Sequence, residues 1–248
     1  MLVLRLLSFQ AGRLSRRRLL NLATRVLSRR HLLGSKNQTD CLFAEGQRLY
    51  GQRRFMKAAN SWGQAALLQH GPSHAFLSDM LVDNPVEIRN WSGYVPLQGL
   101  FGARDMHSST NKLAFRLASA GALLGCAHSK GALARCYVSG IGVVESWNAA
   151  GLLAKESAET GSCFGQFAMG LQALIMHRYV EAAVWFYQAA EQGHATSQFN
   201  LGLMFLEGKG VPQDKTAATS WLEKASAQGH VEAQNALPKR QKGAGVAK

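Results

Sequence analysis

Long apolar runs are scarce in this chain of 248 residues, although 47% of its side chains are apolar. No stretch approaches the ~18 uninterrupted apolar residues that a membrane span requires, so we expect no transmembrane helix. Cysteine is also scarce, and four widely spaced cysteines are too few for a disulfide scaffold in a chain of this length. The apolar content still suffices for a core, and it predicts one or two globular domains or one elongated array of repeats.

Acidic side chains are absent from the first 39 residues, which contain eight arginines and one lysine. The tail after Pro238 has four basic residues and no acid, whereas residues 40–238 contain fifteen basic and fifteen acidic residues. The net charge of +13 therefore lies at the two ends, and the body of the chain is neutral. A surface that tracks phosphates needs a positive potential over the folded part, so this distribution argues against general nucleic-acid binding.

Residues 1–39 have the composition of an organelle transit peptide. Between Leu14 and Arg30 the apolar side chains fall on one side of a helix and most arginines on the other, with serines but no acids. The stretch from Arg30 to Ser35 also resembles the two-step mitochondrial processing pattern, which implies a mature chain that begins near Asp40. We therefore predict import into mitochondria, with the matrix favoured. The alternative is a basic disordered arm or membrane-surface helix that stays attached.

An internal repeat is marked by four glycines, Gly125, Gly161, Gly193 and Gly229, whose separations are 36, 32 and 36 residues. An alanine lies eleven positions before each glycine, a leucine or tryptophan eight before, and a small residue four before. Small residues allow two helices to approach closely, and large residues fill the space between layers. Each repeat therefore predicts a helical hairpin, and hairpins must stack because one alone cannot bury its apolar side.

Two of the repeats carry a glycine turn between their helices, at Gly140 to Val143 and at Gly208 to Asp214. The glycines can adopt the positive φ that ends a helix, and the proline in the second turn stops one element before the next begins. The 32-residue repeat, 162–193, lacks this turn, which accounts for its four missing residues. A phosphate-binding interpretation of Gly-x-Gly fails because no strand precedes it and no Gly-Lys-Ser/Thr follows.

The copy of the repeat from Ala195 to Gly229 resembles the SEL-one-like repeat, a branch of the tetratricopeptide superfamily. The residues that carry the resemblance are Leu201-Gly202, Phe205, the Gly208 to Asp214 turn, Ala217-Ala218, Trp221, Lys224-Ala225 and Gly229-His230. The resemblance implies an all-α fold, a right-handed solenoid of antiparallel helical hairpins.

The repeats divide the predicted solenoid, residues 40–237, into units. The units are about 41–71, 72–125, 126–161, 162–193 and 194–229, followed by a capping helix at 230–237. The second unit is degenerate because it contains an insertion at 82–106, whose prolines break helical continuity and whose aromatics predict packing onto the solenoid as a covering loop. The alternative is that this insertion is itself the functional feature. Residues 238–248 are predicted to be a basic disordered tail.

No motif in the sequence points to catalysis, a cofactor or a metal. Cys-x2-Cys and Gly-x-Ser-x-Gly are missing, and we predict no catalytic, cofactor-binding or metal-binding residues. Cys126 and Cys136 are spaced like the cysteines of disulfide hairpins, but ten helical steps place their α-carbons about 15 Å apart, beyond the ~6.8 Å that a disulfide allows. We therefore expect free thiols. His194 and His230 occupy the same repeat position and are predicted turn residues.

The resemblance to the tetratricopeptide superfamily implies a concave groove lined by the first helix of each hairpin. Carried over through the Leu-Gly landmarks, the groove residues are His128, Arg135, Phe164, Phe167, Leu171, Phe199, Leu203 and Leu206. If these side chains are exposed, they form the apolar patch typical of a peptide-binding site, with Arg135 fixing the orientation of the peptide. The alternative is that a tightly wound superhelix, or the 82–106 insertion, buries them as core.

These observations predict a protein–protein interaction adaptor or assembly factor, not an enzyme, that holds a segment of a partner protein in the groove. Two alternatives stay open. An organellar RNA-binding helical-repeat protein shares a period of about 35 residues and mitochondrial targeting. A hydrolase is implied by some cysteine-rich bacterial relatives of this repeat, although the paired cysteines that those proteins carry in each hairpin are absent here.

Overall fold

The computed structural model describes residues 36–83 and 110–237, which are helical apart from the connecting turns. The helices in chain order are α1 (Lys36–Gly51), α2 (Phe55–Leu67), α3 (Gly71–Asp83), α4 (Thr110–Leu123), α5 (Ala127–Ser139), α6 (Trp147–Glu159), α7 (Cys163–Ile175), α8 (Tyr179–Glu191), α9 (Ala195–Glu207), α10 (Lys215–Ala227) and α11 (Val231–Ala236). Each of the helices α5 to α10 has 13 residues. Equal lengths allow successive hairpins to stack in register.

Neighbouring helices pair as hairpins: α1 with α2, α3 with α4, α5 with α6, α7 with α8, and α9 with α10. Each hairpin packs on the next, and α11 packs against the last one. The first helices of successive hairpins also meet, α3 with α5 and α5 with α7. The all-α solenoid of helical hairpins that the sequence predicts is confirmed.

The turns between helices use the left-handed backbone conformation. Gly140 follows α5 with φ 64° and Gly208 follows α9 with φ 67°. The short turn after α7 reaches the same conformation with a residue other than glycine, His177 at φ 58°. The four landmark glycines of the repeat all have φ between 78° and 91°, a range that residues without a Cβ adopt readily, so the chain reverses there from one hairpin to the next.

Small residues bring the two helices of a hairpin into close contact. A Cβ on Gly170 of α7 would lie 2.6 Å from Phe186 Cδ1 of α8, and a Cβ on Gly202 of α9 would lie 2.9 Å from Leu222 Cγ of α10. Phe186 and Leu222 are buried, so neither has room to move aside. The alternation of large and small residues in the sequence is therefore the packing of paired helices.

The stack of hairpins curls back on itself. Asp83 at the end of α3 accepts a hydrogen bond from Thr196 Oγ1 of α9 at 2.7 Å, although 113 positions separate the two residues. The turn before α11 reaches the first hairpin, since a Cβ on Gly229 would lie 2.6 Å from Phe55 Cζ of α2. This winding gathers side chains of α3, α5, α7 and α9 on one surface, which we call the inner face.

Three of the predicted segments fall largely outside the described residues, namely the basic N-terminal segment, the 82–106 insertion and the C-terminal tail. α1 begins at Lys36, four residues before the predicted mature start near Asp40. The transit peptide, the unit boundaries and the covering role of the insertion stay predictions. Within 36–83 and 110–237, no helix is both long and apolar enough to cross a bilayer.

Candidate functional site

Arg135 of α5 lies at the centre of a buried ion-pair cluster on the inner face. Its Nη1 donates to Asp79 Oδ1 and its Nη2 donates to Asp83 Oδ1. Asp79 and Asp83 are four positions apart on α3 and therefore lie on one side of that helix. We call Arg135, Asp79, Asp83, Thr196 and His194 the Arg135 cluster, which joins α3, α5 and the start of α9.

Asp83 is the carboxylate that the cluster holds most firmly. Its Oδ1 accepts from Arg135, and its Oδ2 accepts from the Thr196 hydroxyl at 2.7 Å and faces Arg135 Nη1 at 3.3 Å. Burial disfavours the charge of this group, but the guanidinium and the hydrogen bonds outweigh burial and hold the pKa of Asp83 below its ordinary value. Asp83 is therefore an ionised, structural partner of Arg135.

Asp79 is held less completely than Asp83. Its Oδ1 accepts from Arg135, while its Oδ2 lies 3.6 Å from His194 Nε2, too far for a hydrogen bond. Burial and the neighbouring charge of Asp83 outweigh the effect of Arg135 and raise the pKa of Asp79 to about 7. Two buried carboxylates thus share one guanidinium, and the pKa of Asp79 is the one that rises.

His194 faces Asp79 with an unpaired donor. Its Nδ1 caps α9 by accepting from the Ser197 backbone N–H at 3.2 Å, so the neutral ring carries its proton on Nε2. Burial, aided by the charge of Arg135, lowers the pKa of His194 to about 3 and keeps the ring neutral. Among the described residues, the buried Nε2 has no hydrogen-bond partner. The unpaired Nε2 therefore faces the Asp79 carboxylate without bonding to it.

Aromatic rings run from the first hairpin to the start of α9 alongside the cluster. Ring centroids are 5.4 Å apart for Trp62 and Phe76, 5.1 Å for Phe76 and Phe164, and 5.1 Å for Phe164 and His194. The guanidinium of Arg135 lies over a further ring, that of Phe167 in α7, 5.1 Å from its centroid. These separations suit edge-to-face and cation–π contacts, so the rings hold the charged groups in place.

A cavity of about 280 Å³ opens beside the Arg135 cluster, and we call it the inner cavity. Its lining includes two carboxylates and four aromatic rings, those of Asp79, Asp83, Tyr50, Trp62, Phe76 and Phe164. His194 also lines it, with the unpaired Nε2 described above. The cavity therefore combines apolar walls with a few charged and polar groups, the usual make-up of a ligand pocket.

The structure brings three of the predicted groove residues together but buries them. Phe164 and Phe167 are each 1% exposed, and Arg135 is 8% exposed. The expectation that these three side chains line an open groove is corrected, because the tight winding covers Phe164 with Phe76 and encloses Arg135 between two aspartates. The alternative that the sequence left open, burial in a tightly wound superhelix, applies to them.

The other five predicted groove residues are half-buried. They are His128, Leu171, Phe199, Leu203 and Leu206. The last helix and the turn before it cover part of this set. Phe199 stacks on His230 with ring centroids 4.7 Å apart, and both Phe199 and Leu206 pack against a buried cluster that includes Ala233 of α11. Contact of any of these residues with a partner stays a prediction.

Leu171 and Leu203 continue the inner face beyond the buried cluster. Leu171 lies seven positions after Phe164 on α7, and Leu203 lies seven positions after Thr196 on α9. Residues seven apart share one face of a helix, so each leucine points to the same side as its buried counterpart. These two half-buried leucines are the apolar residues best placed to extend a binding surface from the inner cavity.

Asp79 and Asp83 were not predicted from the sequence, and His194 was predicted only as a turn residue. A local signal existed for the aspartates, because they lie four apart on α3, which contains no lysine or arginine. Two carboxylates on one side of such a helix require a base from elsewhere in the fold. No local signal predicts the contact between Thr196 and Asp83, which forms only through the winding of the array.

The ionisation of the groups around the inner cavity favours binding over nucleophilic catalysis. Burial raises the pKa of the Cys163 thiol to about 12, so this lining residue stays protonated at neutral pH. His194, with a pKa near 3 and Nδ1 engaged in capping, is a poor general base. In the part of the chain that the structure describes, no group of three or more His, Cys, Asp or Glu residues is placed to hold a metal ion.

All four cysteines are free thiols, which confirms the prediction for Cys126 and Cys136. Cys136 and Cys163 are buried, whereas Cys41 is exposed. Burial raises the pKa of Cys136 to about 12, so it behaves as a small apolar core residue.

A known protein family matches the C-terminal part of the described solenoid. The family model for the Sel1 repeat matches residues 179–194 and 195–230. A Sel1 repeat protein from Oxalobacter formigenes is 27% identical over 48% of this chain and 92% of its own, with a TM-score of 0.40. A protective antigen of uropathogenic Escherichia coli strains that displays an SLR fold is 23% identical over 79% of this chain and 40% of its own, with a TM-score of 0.43. A sel1 repeat protein from Klebsiella pneumoniae subsp. pneumoniae is 17% identical over 79% of this chain and 90% of its own, with a TM-score of 0.48.

The two matched stretches agree with the hairpin boundaries of the structure. Each stretch ends one residue after a landmark glycine, Gly193 or Gly229, at the histidine that caps the next helix. The second stretch contains the Leu201-Gly202 pair and the glycine turn that carried the resemblance in the sequence. Residues 179–230 of this chain therefore match the Sel1 repeat.

Proposed function

We propose that this chain is a mitochondrial adaptor that holds a segment of a partner protein against the inner face of its solenoid. Sel1-repeat proteins generally mediate protein–protein interaction. The observation that carries the proposal is the inner face itself. It combines a cavity lined by aromatic rings and carboxylates with the half-buried Leu171 and Leu203 on the same faces of α7 and α9.

The contacts around the inner cavity support binding to a preformed surface. Arg135 joins α5 to α3, and Thr196 joins α9 to the same helix. Because these elements are already tied together, a bound segment does not have to order them, which lowers the entropic cost of association. Burial of Leu171 and Leu203 under the segment would then add apolar contact area.

The test is a double substitution, Leu171→Asp with Leu203→Asp, in the full chain. Both leucines are half-buried on the inner face, so we expect a melting temperature close to that of the unsubstituted protein and loss of partners in proximity labelling. A large fall in the melting temperature would instead show that the two leucines belong to the core. Unchanged labelling by a stably folded variant would contradict the proposal.

The matched control places the same two charges on the outer side of the array. Val180 and Val184 of α8 are 68% and 51% exposed. Val180→Asp with Val184→Asp should therefore leave both the melting temperature and the labelled partners unchanged. Salt-sensitive RNA binding by the purified chain, retained in the double leucine variant, would favour the RNA-binding alternative instead.

The mitochondrial part of the proposal is supported by the arginine-rich, acid-free composition of residues 1–39. A reporter fused after residue 39 should enter mitochondria. The same fusion with all eight arginines changed to glutamine should stay outside, because the membrane potential acts on positive charge. Equal distribution of the two fusions would contradict the proposal and leave adaptor function to be tested elsewhere in the cell.

A further inference from the structure

Among the described residues, the Arg135 cluster holds more carboxylates than cations beside the inner cavity. Asp79 and Asp83 bring two carboxylates, and Arg135 brings one guanidinium. His194, which faces Asp79 from the start of α9, is neutral because burial lowers its pKa to about 3. Burial and the charge of Asp83 raise the pKa of Asp79 to about 7, although Arg135 donates to the same carboxylate, so one guanidinium does not compensate both aspartates.

A hydrogen-bond donor without a partner lies beside Asp79. The side chain of His194 is 4% exposed, and its Nε2 has no hydrogen-bond partner among the described residues. The nearest carboxylate oxygen, Asp79 Oδ2, is 3.6 Å away. Buried polar groups in folded proteins are normally satisfied, so the unpaired Nε2 marks a gap in the cluster on the side that faces Asp79.

The walls of the inner cavity suit an organic cation. Tyr50, Trp62, Phe76 and Phe164 line it, and aromatic faces attract ammonium and guanidinium groups while they pack against alkyl chains. An anion would be repelled by the two aspartates, and an uncharged apolar group would add no cation to them. A basic amino-acid side chain suits both the charge and the aromatic walls.

We infer that the inner cavity is an anchor pocket for a lysine or arginine side chain of the partner segment. The inference rests on the proposed function, because it names the chemistry of the segment that the adaptor holds. The cationic head pairs with Asp79, and the aromatic rings of the lining pack against the alkyl part of the side chain. Apolar residues of the same segment then cover Leu171 and Leu203.

The probes for this pocket are N-acetyl-lysine amide and N-acetyl-arginine amide, with N-acetyl-norleucine amide as the uncharged control. Titrated into the full chain and followed by NMR, both cationic probes should bind with Kd in the millimolar range or tighter. The norleucine probe should bind at least about tenfold more weakly, because it lacks the ion pair and the cation–π contact. Equal binding of all three probes would overturn the inference.

Asp79→Asn removes one of the two carboxylate charges while it preserves the shape of the side chain. This variant should lose about tenfold or more of its affinity for the cationic probes, and its melting temperature should not fall. Glu159→Gln is the matched control, since Glu159 is a 64% exposed acid of α6 outside the cavity lining. It should bind the probes as the unsubstituted chain does.

A second test uses the unsubstituted protein, so its result does not depend on whether Asp79→Asn folds. A bound cation should lower the pKa of Asp79, so binding near pH 7 should release a fraction of a proton per probe. Calorimetry in two buffers of different ionisation enthalpy measures this release. Binding without proton release would overturn the assignment of the cation to Asp79.

The outcomes separate the inference from the proposed function. If the double leucine variant loses its partners while Asp79→Asn keeps them, the adaptor function stands and the anchor pocket is wrong. If probes bind only after the eight arginines before residue 31 are changed to glutamine, the pocket belongs to the chain's own basic arm and the partner assignment is overturned. Loss of the partners in both variants, with cationic probes bound, supports both statements.

Discussion

The contacts within the hairpins and the contacts across the inner face follow different rules. Within the hairpins, small residues meet large apolar ones at positions that recur along the chain, as Gly170 meets Phe186 and Gly202 meets Leu222. Across the inner face, a charged cluster and aromatic rings connect hairpins that are distant in sequence, as Asp83 connects to Thr196. The first set builds a solenoid, and the second set determines how tightly this one is wound.

The features that distinguish this solenoid from a generic stack of hairpins lie in the contacts across its inner face. Recurring small and large residues can be exchanged between hairpins because each junction presents the same geometry. The Arg135 cluster cannot be exchanged in this way, because it needs two aspartates on α3, one arginine on α5 and one threonine on α9. Recognition of a particular partner is therefore expected on the inner face.

The largest expected effect comes from Arg135→Leu, which tests whether the inner face is a structural unit. The substitution leaves two buried carboxylates without a cation, so the free energy of unfolding should fall by about 3–5 kcal/mol. Urea denaturation measures it. The matched control is Lys155→Leu, which removes the same charge from a 72% exposed side chain and should change stability by less than about 0.5 kcal/mol. If both substitutions lower the free energy of unfolding equally, the inner face contributes no more to stability than the outer surface does.

Gly170→Val is a smaller perturbation and tests the hairpin side of the comparison. The new Cβ would lie 2.6 Å from Phe186 Cδ1 in a ring that is fully buried, so overpacking should lower the free energy of unfolding by about 1–3 kcal/mol. Gly151→Val on α6 is the control, because its Cβ would meet the flexible end of Gln172 at 3.4 Å. The same denaturation experiment should show little loss for Gly151→Val. A stable Gly170→Val protein would contradict the close packing of α7 on α8.

Among these substitutions, His194→Asn should change the free energy of unfolding least at pH 7. Its effect should grow as the pH falls. Asn retains the capping acceptor, but it removes a histidine whose pKa burial lowers from 6.5 to about 3. Below pH 6.5 the unfolded chain takes up a proton that the folded chain refuses, so His194 costs the native protein stability by up to about 1.4 kcal/mol per pH unit. The unsubstituted protein should therefore lose stability faster than the variant between pH 6.5 and 4.5.

Thermal melts across that pH range provide the measurement for His194→Asn. The control is His177→Asn, which replaces an exposed histidine in the turn after α7. A gap between His194→Asn and the unsubstituted protein that stays constant with pH would show that His194 is not buried as a neutral ring.

The hairpins were predictable from sequence because their signal is local and repeated. The spacing of Gly161, Gly193 and Gly229, with a small residue four positions before each, specifies turns and helix contacts within one period. The helices, the glycine turns and the close approach at Gly202 follow from that period and are confirmed.

The inner face was not predictable because its geometry depends on the winding of the whole array. The sequence placed Phe164 and Phe167 on the correct helix, but their burial depends on α3, which curls over them from two hairpins away. The pairing of Asp83 with Thr196 spans 113 positions and does not follow the repeat. The repeat period determines the contacts between neighbouring hairpins. It does not determine the curvature of the array that brings distant hairpins together.

A double-mutant cycle between Asp83→Ala and Thr196→Val tests the tight winding most directly. The two residues contact each other only if α3 and α9 meet on the inner face, as their 2.7 Å hydrogen bond shows. We predict a coupling free energy of about 1.5 kcal/mol in urea denaturation, the usual range for a hydrogen bond to a charged group. If the effects of the two substitutions on the free energy of unfolding are strictly additive, α3 and α9 do not meet on the inner face, and the tight winding is contradicted.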